Sequence, residues 1–535
     1  MTRWRRPLSF LGLALVAGVA LAKMAVVRLP FDEYADALTA IESWAPEPIP
    51  AEKFIYSSIH GMLARLDPHT SFLEPDDYAD LREKQQGSYY GIGLVIQNRA
   101  GKTVVITAMD GTPAFRMGVR AGDVLTRIGG EEIREDTSTD EISARLRGSL
   151  GTSVRVTLRR PGMADPIHLV IPRAEIPTLS VPYAFMLNAD TGYILLRDFT
   201  QTSGREVTAA LEKLQKLGMK KLVFDLRGNP GGVLDQAVNV ADVFLSRGER
   251  VVYTRGRTPS SAQDFYAPGE GAHFDRPLVV LINRGSASAS EIVAGAIQDH
   301  DRGLILGQRS WGKGLVQSVY TLPYGAGLAL TTARYYTPSG RWIQRDYSDL
   351  LAYVNPEDPD AGTVGDAAAA AEAPRQAGQT FYTEAGRTVY AAGGITPDVM
   401  VKSAWGDSKL LSQLLARQLF FNFAVDYLAR HPEVKADVAV TEGMREEFFR
   451  FAEKSKFSTA EELSRQWQED ANRRLVDLAM QTELVNAKFG LEAGRKVQAS
   501  GDAQLQKALA EFDEAARIAA LPKKPSPARA ARQGS

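Results

Sequence analysis

Two residues in this chain stand out for chemistry. One is a serine at the mouth of a helix, and the other is a lysine held between glycines. They share the stretch from Pro277 to Gln317, PLVVLINRGSASASEIVAGAIQDHDRGLILGQRSWGKGLVQ. Its apolar run Leu278–Ile282 ends in a tight Gly/Ser turn, and the turn feeds a helix beginning near Ser290–Glu291. A second apolar run, Leu304–Leu306, leads to Lys313 between Gly312 and Gly314. Strand, turn, helix, strand is the order of an α/β core. A serine on such a turn exposes its Oγ beside the free N–H groups of the first helical turn, which suits a nucleophile.

A serine nucleophile needs a base. The six histidines, His60, His69, His168, His273, His300 and His431, fall in no triad pattern. Ser–Lys pairs are an alternative solution. A lysine at its reference pKa of about 10.4 is neutral in roughly one molecule in a few thousand at pH 7. Service as a base therefore requires a site that favours the neutral form by ~3–4 kcal/mol, and burial supplies that sign. Gly312 and Gly314 admit close backbone, and Leu315 and Val316 supply apolar surroundings.

The runs GSASASEIVAGAIQD and GKGLVQ resemble the carboxyl-terminal processing (tail-specific) serine protease family. The resemblance implies that Ser288 is the nucleophile. It implies that Lys313, 25 positions on, is the general base and that Gln317 orients it. Glutamine suits that role because it accepts from a protonated lysine without adding charge. The run Asp225-Leu226-Arg227-Gly228-Asn229-Pro230-Gly231-Gly232 also resembles the family. By that likeness Gly231 or Gly232 gives one oxyanion-hole N–H and Ala289 gives the other. Tyr336-Thr337-Pro338-Ser339-Gly340-Arg341 and Gly394-Ile395-Thr396-Pro397-Asp398 match further family motifs.

The chain has 535 residues and no cysteine. Disulfides, thiol catalysis and cysteine metal sites are thereby excluded. Sixty-three basic against 64 acidic residues give a net charge of −1, which argues against a nucleic-acid binder. Arg3, Arg5 and Arg6 precede an apolar run, Leu8–Ala22, that closes on Ala20-Leu21-Ala22. This pattern reads as a secretory signal, or as an anchor if uncleaved, over 1–22. Fifteen residues are short for a span of about 20. The expected location is the bacterial periplasm or the outer face of the inner membrane.

Helical spacing of Ile55, Ile59, Met62, Leu63 and Leu66 predicts a helical segment over 23–86, closed by the turn Leu66–Phe72. Residues 87–173 resemble a PDZ domain. Within it, Tyr90, Gly91, Ile92, Gly93 and Leu94 match the loop that binds a peptide's terminal carboxylate, and glycines there let several N–H groups converge on one anion. A strand over Val124–Ile128 and a groove helix over Thr139–Leu146 follow. Arg147, just after that helix, corresponds to a region in which some family members carry a substrate-sensing arginine. The core occupies 174–402, with Ser203 as expected N-cap of a helix Arg205–Leu217. A surface insertion at 346–392 interrupts it. Residues 403–521 read as helical, with Leu410, Leu411, Leu414, Leu415, Leu419, Phe420, Phe423 and Tyr427 on one helix face, and helices are also expected over Glu461–Leu484 and Ala503–Ala520. The tail 522–535 reads as disordered.

The fold expected is thus an α/β protease core, a mixed sheet with flanking helices. It carries an N-terminal helical segment, an inserted β-rich PDZ domain and a C-terminal helical extension. The function implied is that of an exported serine endopeptidase acting on proteins with exposed C-termini, with no metal or cofactor required. The alternative is a silent or partner-gated PDZ scaffold of the cell envelope. The C-terminal helices read either as a module packed on the chain's own core or as the place where a second copy or an activating partner would bind.

Overall fold

The computed structural model describes residues 31–47, 50–99, 101–270, 273–354, 380–391, 393–403, 408–470 and 473–523. The leader 1–22, most of the 346–392 insertion and the tail from 524 lie outside the described residues. The chain divides into two compact units, 1–78 with 317–331, and 79–316 with 332–535. Among the described residues no helix is long and apolar enough to cross a membrane.

In the first unit a helix over 31–44 precedes the helix Ala51–Leu63 and the strand Ser71–Leu73. That strand pairs antiparallel with Gly327–Ala329. Leu63, Phe72 and Ala326 form its small core. The connecting turn is built on Asp67, whose carboxylate accepts the His69 and Thr70 N–H groups, each at 2.9 Å, and the Thr70 hydroxyl at 2.6 Å. Asp before Pro is a turn former for this reason.

The second unit is organised on a six-stranded sheet in the order Tyr183–Met186, Thr191–Leu195, Lys221–Asp225, Leu278–Ile282, Leu304–Gly307 and Val399–Met400. The first pair is antiparallel and the others are parallel. Every residue of Leu278–Ile282 is buried, as a central parallel strand covered on both faces requires. Helices Ser203–Lys216, Leu234–Asp242 and Ala289–Asp299 share a core with one face. The Ser203–Lys216 helix buries Val207, Ala210, Leu211 and Leu214 at helical spacing. It ends in a Schellman turn at Gly218 (φ 91°), with Gly218 N–H on Gln215 O and Met219 N–H on Leu214 O. Ser203 is not its N-cap. Thr202 holds that position, and Ser203 lies inside the helix with its Oγ accepting the Thr200 N–H.

A second six-stranded sheet in the same unit is antiparallel, with Leu94–Arg99, Lys102–Ala108, Val124–Ile128, Ser153–Arg159 and Ile167–Pro172 as neighbours in that order and Glu131–Glu132 paired with Val124–Ile128. The helix Thr139–Leu146 packs Ile142 and Leu146 on it, and Ser138 caps that helix through the Glu141 N–H.

The C-terminal helices are shorter than expected. The apolar face from Leu410 to Tyr427 is carried by two helices, Lys409–Ala416 and Leu419–Arg430, which break where Gln418 turns left-handed (φ 55°). The Glu461–Leu484 stretch is likewise split into Ala460–Glu469 and Arg473–Phe489, and the stretch from Ala503 into Ala503–Ala510 and Phe512–Ala519. With Glu442–Lys454, the helices up to Phe489 enclose their own core of Phe420, Phe423, Phe448 and Trp467. The last two helices do something else. Leu505, Phe512 and Ile518 cover the second face of the central sheet, against Tyr193, Val223, Val279 and Leu306.

Phe448 is fully buried, stacks on Phe420 with centroids 5.3 Å apart and meets Trp467 edge-on. Phe448→Ala is expected to destabilise the helical module by about 3 kcal/mol, read as a lower urea midpoint at unchanged slope.

Candidate active site

Asp225, Leu281 and Leu306 are register partners across adjacent parallel strands, so the loops after Asp225 and Ile282 emerge side by side. The crevice beyond the carboxyl ends of parallel strands is where α/β folds bind ligands. Ser288 stands there, half-buried, at the N-cap of the Ala289–Asp299 helix, with φ 53° and ψ −112°. For a residue with a side chain that backbone costs ~1–3 kcal/mol and persists only when neighbours over-determine it.

The neighbours can be named. Ser286 Oγ donates to Leu226 O (2.8 Å) and accepts the Asn283 N–H (2.9 Å). Asn229 O receives both the Ala287 N–H and the Ser290 Oγ, each at 2.9 Å. Asn283 Oδ1 receives the Gly228 and Gly285 N–H groups. The Tyr335 hydroxyl donates to Ser288 O at 3.2 Å.

Glu291 closes the arrangement. Its carboxylate is wholly buried and takes four donors. Oε2 accepts the backbone N–H of Ser288 (2.8 Å) and of Lys313 (2.9 Å), while Oε1 accepts Gly312 N–H (2.6 Å) and Ser310 Oγ (2.5 Å). Burial pushes the Glu291 carboxyl above its ordinary range, and the four donors offset only part of that rise. One oxygen thus ties the serine's backbone to the lysine's. Lys313 is half-buried. Its flanking glycines are demanded by close approach. A Cβ on Gly312 would lie 2.7 Å from Gly393 C, and one on Gly314 would lie 2.9 Å from Gln344 N.

The two oxyanion glycines differ. Gly231 N–H is taken by Asn229 Oδ1 at 2.9 Å. Gly231 instead provides clearance, since a Cβ there would sit 2.9 Å from Ser288 Cβ. Gly232 bridges Phe199, whose N–H goes to Gly231 O and whose carbonyl takes Val233 N–H. In that parallel bridge the Gly232 N–H faces away, and among the described residues it has no partner. Ala289 N–H, at the first helical position, is also without one.

Gln317 belongs to the first unit. There its Nε2 donates to Thr331 Oγ1 (3.2 Å), and Thr331 Oγ1 donates to Asp67 Oδ1 (3.0 Å). The threonine's only proton is committed to the carboxylate, so it must accept from the glutamine amide, which fixes the orientation of that amide. The hydrogen bonds of the Asp67 turn and of Thr331 hold the Asp67 carboxyl below its usual range despite partial burial.

A separate groove of about 120 Å³ runs between Leu94–Arg99 and the Thr139–Leu146 helix. Gly91, Ile92, Gly93 and Leu94 line it together with Tyr89, Ser143 and Leu146. Tyr90 does not line it. It sits on the strand Ser88–Gly91, exposed, opposite Glu175. Gly93 (φ 81°) must be glycine, because a Cβ would lie 2.3 Å from Thr112. Arg147 closes one end, paired with Glu83 at 2.8 Å and lying over the Tyr89 ring.

The sequence assigns no role in the site to Glu291 or Asn229, although each carries a signal. Glu291 follows Ser288 at the S-x-x-E spacing of a capping box, and Asn229-Pro230-Gly231 is a turn former.

A family model described as peptidase family S41 matches residues 190–350, and one described as PDZ domain matches 104–160. The carboxy-terminal-processing protease of Bartonella bacilliformis is 41% identical over 297 residues, covering 55% of this chain and 68% of that protein. The carboxyl-terminal-processing protease of Synechocystis sp. is 37% identical over 312 residues, covering 57% and 72%. The carboxy-terminal processing protease CtpA of Bacillus subtilis is 30% identical over 331 residues, covering 62% and 70%. On its parallel core, its PDZ domain and these relatives, the chain belongs to the carboxyl-terminal processing proteases of peptidase family S41.

Proposed function

We propose that this peptidase is exported, takes proteins by their free C-termini in the PDZ groove and cleaves them with a Ser288–Lys313 dyad. The observation that carries the reading is the strained Ser288 beside the unengaged N–H groups of Ala289 and Gly232, with its backbone tied through Glu291 to that of Lys313. In this reading Ser288 Oγ attacks the scissile carbonyl and Lys313 Nζ takes the proton. The oxygen that gains charge lies on the Ala289 and Gly232 N–H groups. The leaving amine collects the proton from Lys313, and the acyl-enzyme remains. Water then attacks it, with Lys313 again as base and Ser288 Oγ as leaving group. Gln317 keeps the orienting role that the family likeness implies.

Recognition of a free carboxylate is supported by the glycine loop at the groove. Ser143 faces the groove half-buried, so Ser143→Trp fills it without entering the core. The variant is expected to bind an apolar C-terminal peptide at least ~10-fold more weakly by fluorescence anisotropy, and amidation of the peptide to act similarly on the wild type. Equal affinity for acid and amide would contradict carboxylate capture. Export is supported by the basic and apolar pattern of residues 1–22. Amino-terminal sequencing of protein from the envelope is expected to start at Lys23 if the leader is cleaved, and a purely cytoplasmic protein would contradict export.

A further inference from the structure

Three of the five residues Gly228–Gly232 are glycines with positive φ: Gly228 at 70°, Gly231 at 98° and Gly232 at 149°. Such a segment has little conformational preference of its own and must be held from outside. On one side Asn229 does this, bound to the serine turn and, through Nδ2, to Leu196 O at 2.9 Å. On the other side stands Arg227.

The Arg227 guanidinium is fixed by a buried ionic cluster. Nε and Nη2 donate to Asp225 at 2.9 and 2.6 Å. Nη1 donates to Asp502 Oδ1 (3.0 Å) and Gln504 Oε1 (2.8 Å), and Nη2 lies 2.8 Å from Asp502 Oδ2. Asp225 is fully buried and also accepts from the Tyr193 hydroxyl (2.7 Å) and from Arg495 Nη2 (3.3 Å). Burial alone would raise the Asp225 carboxyl, but Arg227 and Arg495 hold it below its ordinary range. Two arginines balance two carboxylates, which lets the cluster stay ionised out of water. Asp502 is itself held, because its Oδ1 caps the Ala503–Ala510 helix through Gln504 and Leu505 N–H, each at 3.1 Å. Gln504 Nε2 donates to Val401 O at 2.7 Å. That helix is bolted to the central sheet by Leu505 and Ala508.

We infer that Asp502, Gln504 and Arg495 are positioning residues for catalysis. Asp502 and Gln504 seat Arg227 directly and Arg495 does so through Asp225, and together they aim the Gly232 N–H at the reacting carbonyl. The C-terminal helices, which lie beyond the matched peptidase region 190–350, are on this account part of the apparatus that forms the oxyanion hole. The inference rests on the Ser288 reading above. Displacement of a reacting group by about 1 Å can cost ~100-fold in rate, so a slackened loop shows in kcat.

The test is steady-state cleavage of a fluorogenic peptide by the full chain, with inhibition by a peptide boronate whose tetrahedral adduct occupies the hole. Asp502→Ala and Arg495→Met are each expected to lower kcat by ~10–100-fold with KM within about twofold. Boronate affinity should fall by the same factor as kcat/KM, and peptide affinity at the PDZ groove should not change. Asp502→Asn keeps the cap acceptor and one bond to Arg227, and is expected to recover most of the loss. Wild-type kcat and boronate affinity in folded Arg495→Met and Gln504→Met would overturn the inference, even if Asp502→Ala does not fold. Parallel loss of kcat, KM and groove binding would also overturn it, since that is general loosening. Ser288→Ala is assayed alongside. Full turnover by that variant would remove the underlying reading, whereas a dead Ser288→Ala beside a fully active Arg495→Met would remove only the positioning role.

Discussion

Ser288→Ala is expected to reduce cleavage of an unstructured protein at least ~10³-fold while leaving the fold in place. The loss follows from the chemistry, because no hydroxyl remains to form the acyl-enzyme. The preserved fold follows from the backbone. The unusual φ and ψ at position 288 are held by contacts of Ser286, Asn229 and Tyr335 and by the Glu291 carboxylate on the Ser288 N–H, all of which remain without the Ser288 Oγ. Alanine inherits the strain of φ 53° and glycine does not. Ser288→Gly is therefore expected to be as inactive as Ser288→Ala yet more stable by about 1 kcal/mol, after allowance for the greater freedom of glycine in the unfolded chain. At this chain length that is about 1 °C in melting temperature. Equal melting of the two variants would mean that the strained backbone is not present in solution.

Lys313→Met is expected to reduce turnover at neutral pH by at least ~10³-fold. Methionine keeps the length and apolar stem but cannot accept a proton. The backbone N–H of residue 313 still reaches Glu291 Oε2, so the serine turn keeps its geometry. The two variants are told apart by pH. A base that must lose its proton gives a wild-type rate rising about tenfold per pH unit on the acid limb, then a plateau. Lys313→Met lacks that limb, and its residual rate climbs only with hydroxide. Ser288→Ala shows no dependence at all above background. A Lys313→Met variant with a wild-type profile would place the base elsewhere.

Much of this site could be read from the sequence, and the reasons are local. Leu278–Ile282 is an unbroken aliphatic run and could hardly be anything but a buried strand, and S-A-S-E supplies a helix start at a fixed offset. The groove helix Thr139–Leu146 was legible through the resemblance to a PDZ domain, and the structure has it at those bounds. What stayed hidden depends on direction or on distance. The order of the motif cannot tell Gly231 from Gly232, since the Asn229 side chain takes the Gly231 N–H and the path of the backbone past Phe199 leaves the Gly232 N–H unspent. Ser203 is the expected cap, but Thr202 beside it is also a cap-forming residue and holds the position, one residue earlier. The break at Gln418 has neither glycine nor proline to announce it, and local propensity loses there to the packing of two short helices around Phe423 and Phe448. Asp67 with Thr331 and Arg227 with Asp502 join residues more than 250 positions apart, which no local pattern reports.

The central claim is that Ser288 is a nucleophile made reactive by Lys313. The most direct measurement is the rate and position of phosphonylation by a fluorophosphonate, followed by intact-mass and peptide mass spectrometry across pH 6 to 10 for wild type, Ser288→Ala and Lys313→Met. The account predicts a single adduct on Ser288 in the wild type and no adduct in Ser288→Ala. It predicts labelling of Lys313→Met at least ~100-fold slower at pH 7, with the gap narrowing as pH rises. An adduct on another residue, or labelling of Lys313→Met at the wild-type rate at pH 7, would contradict it.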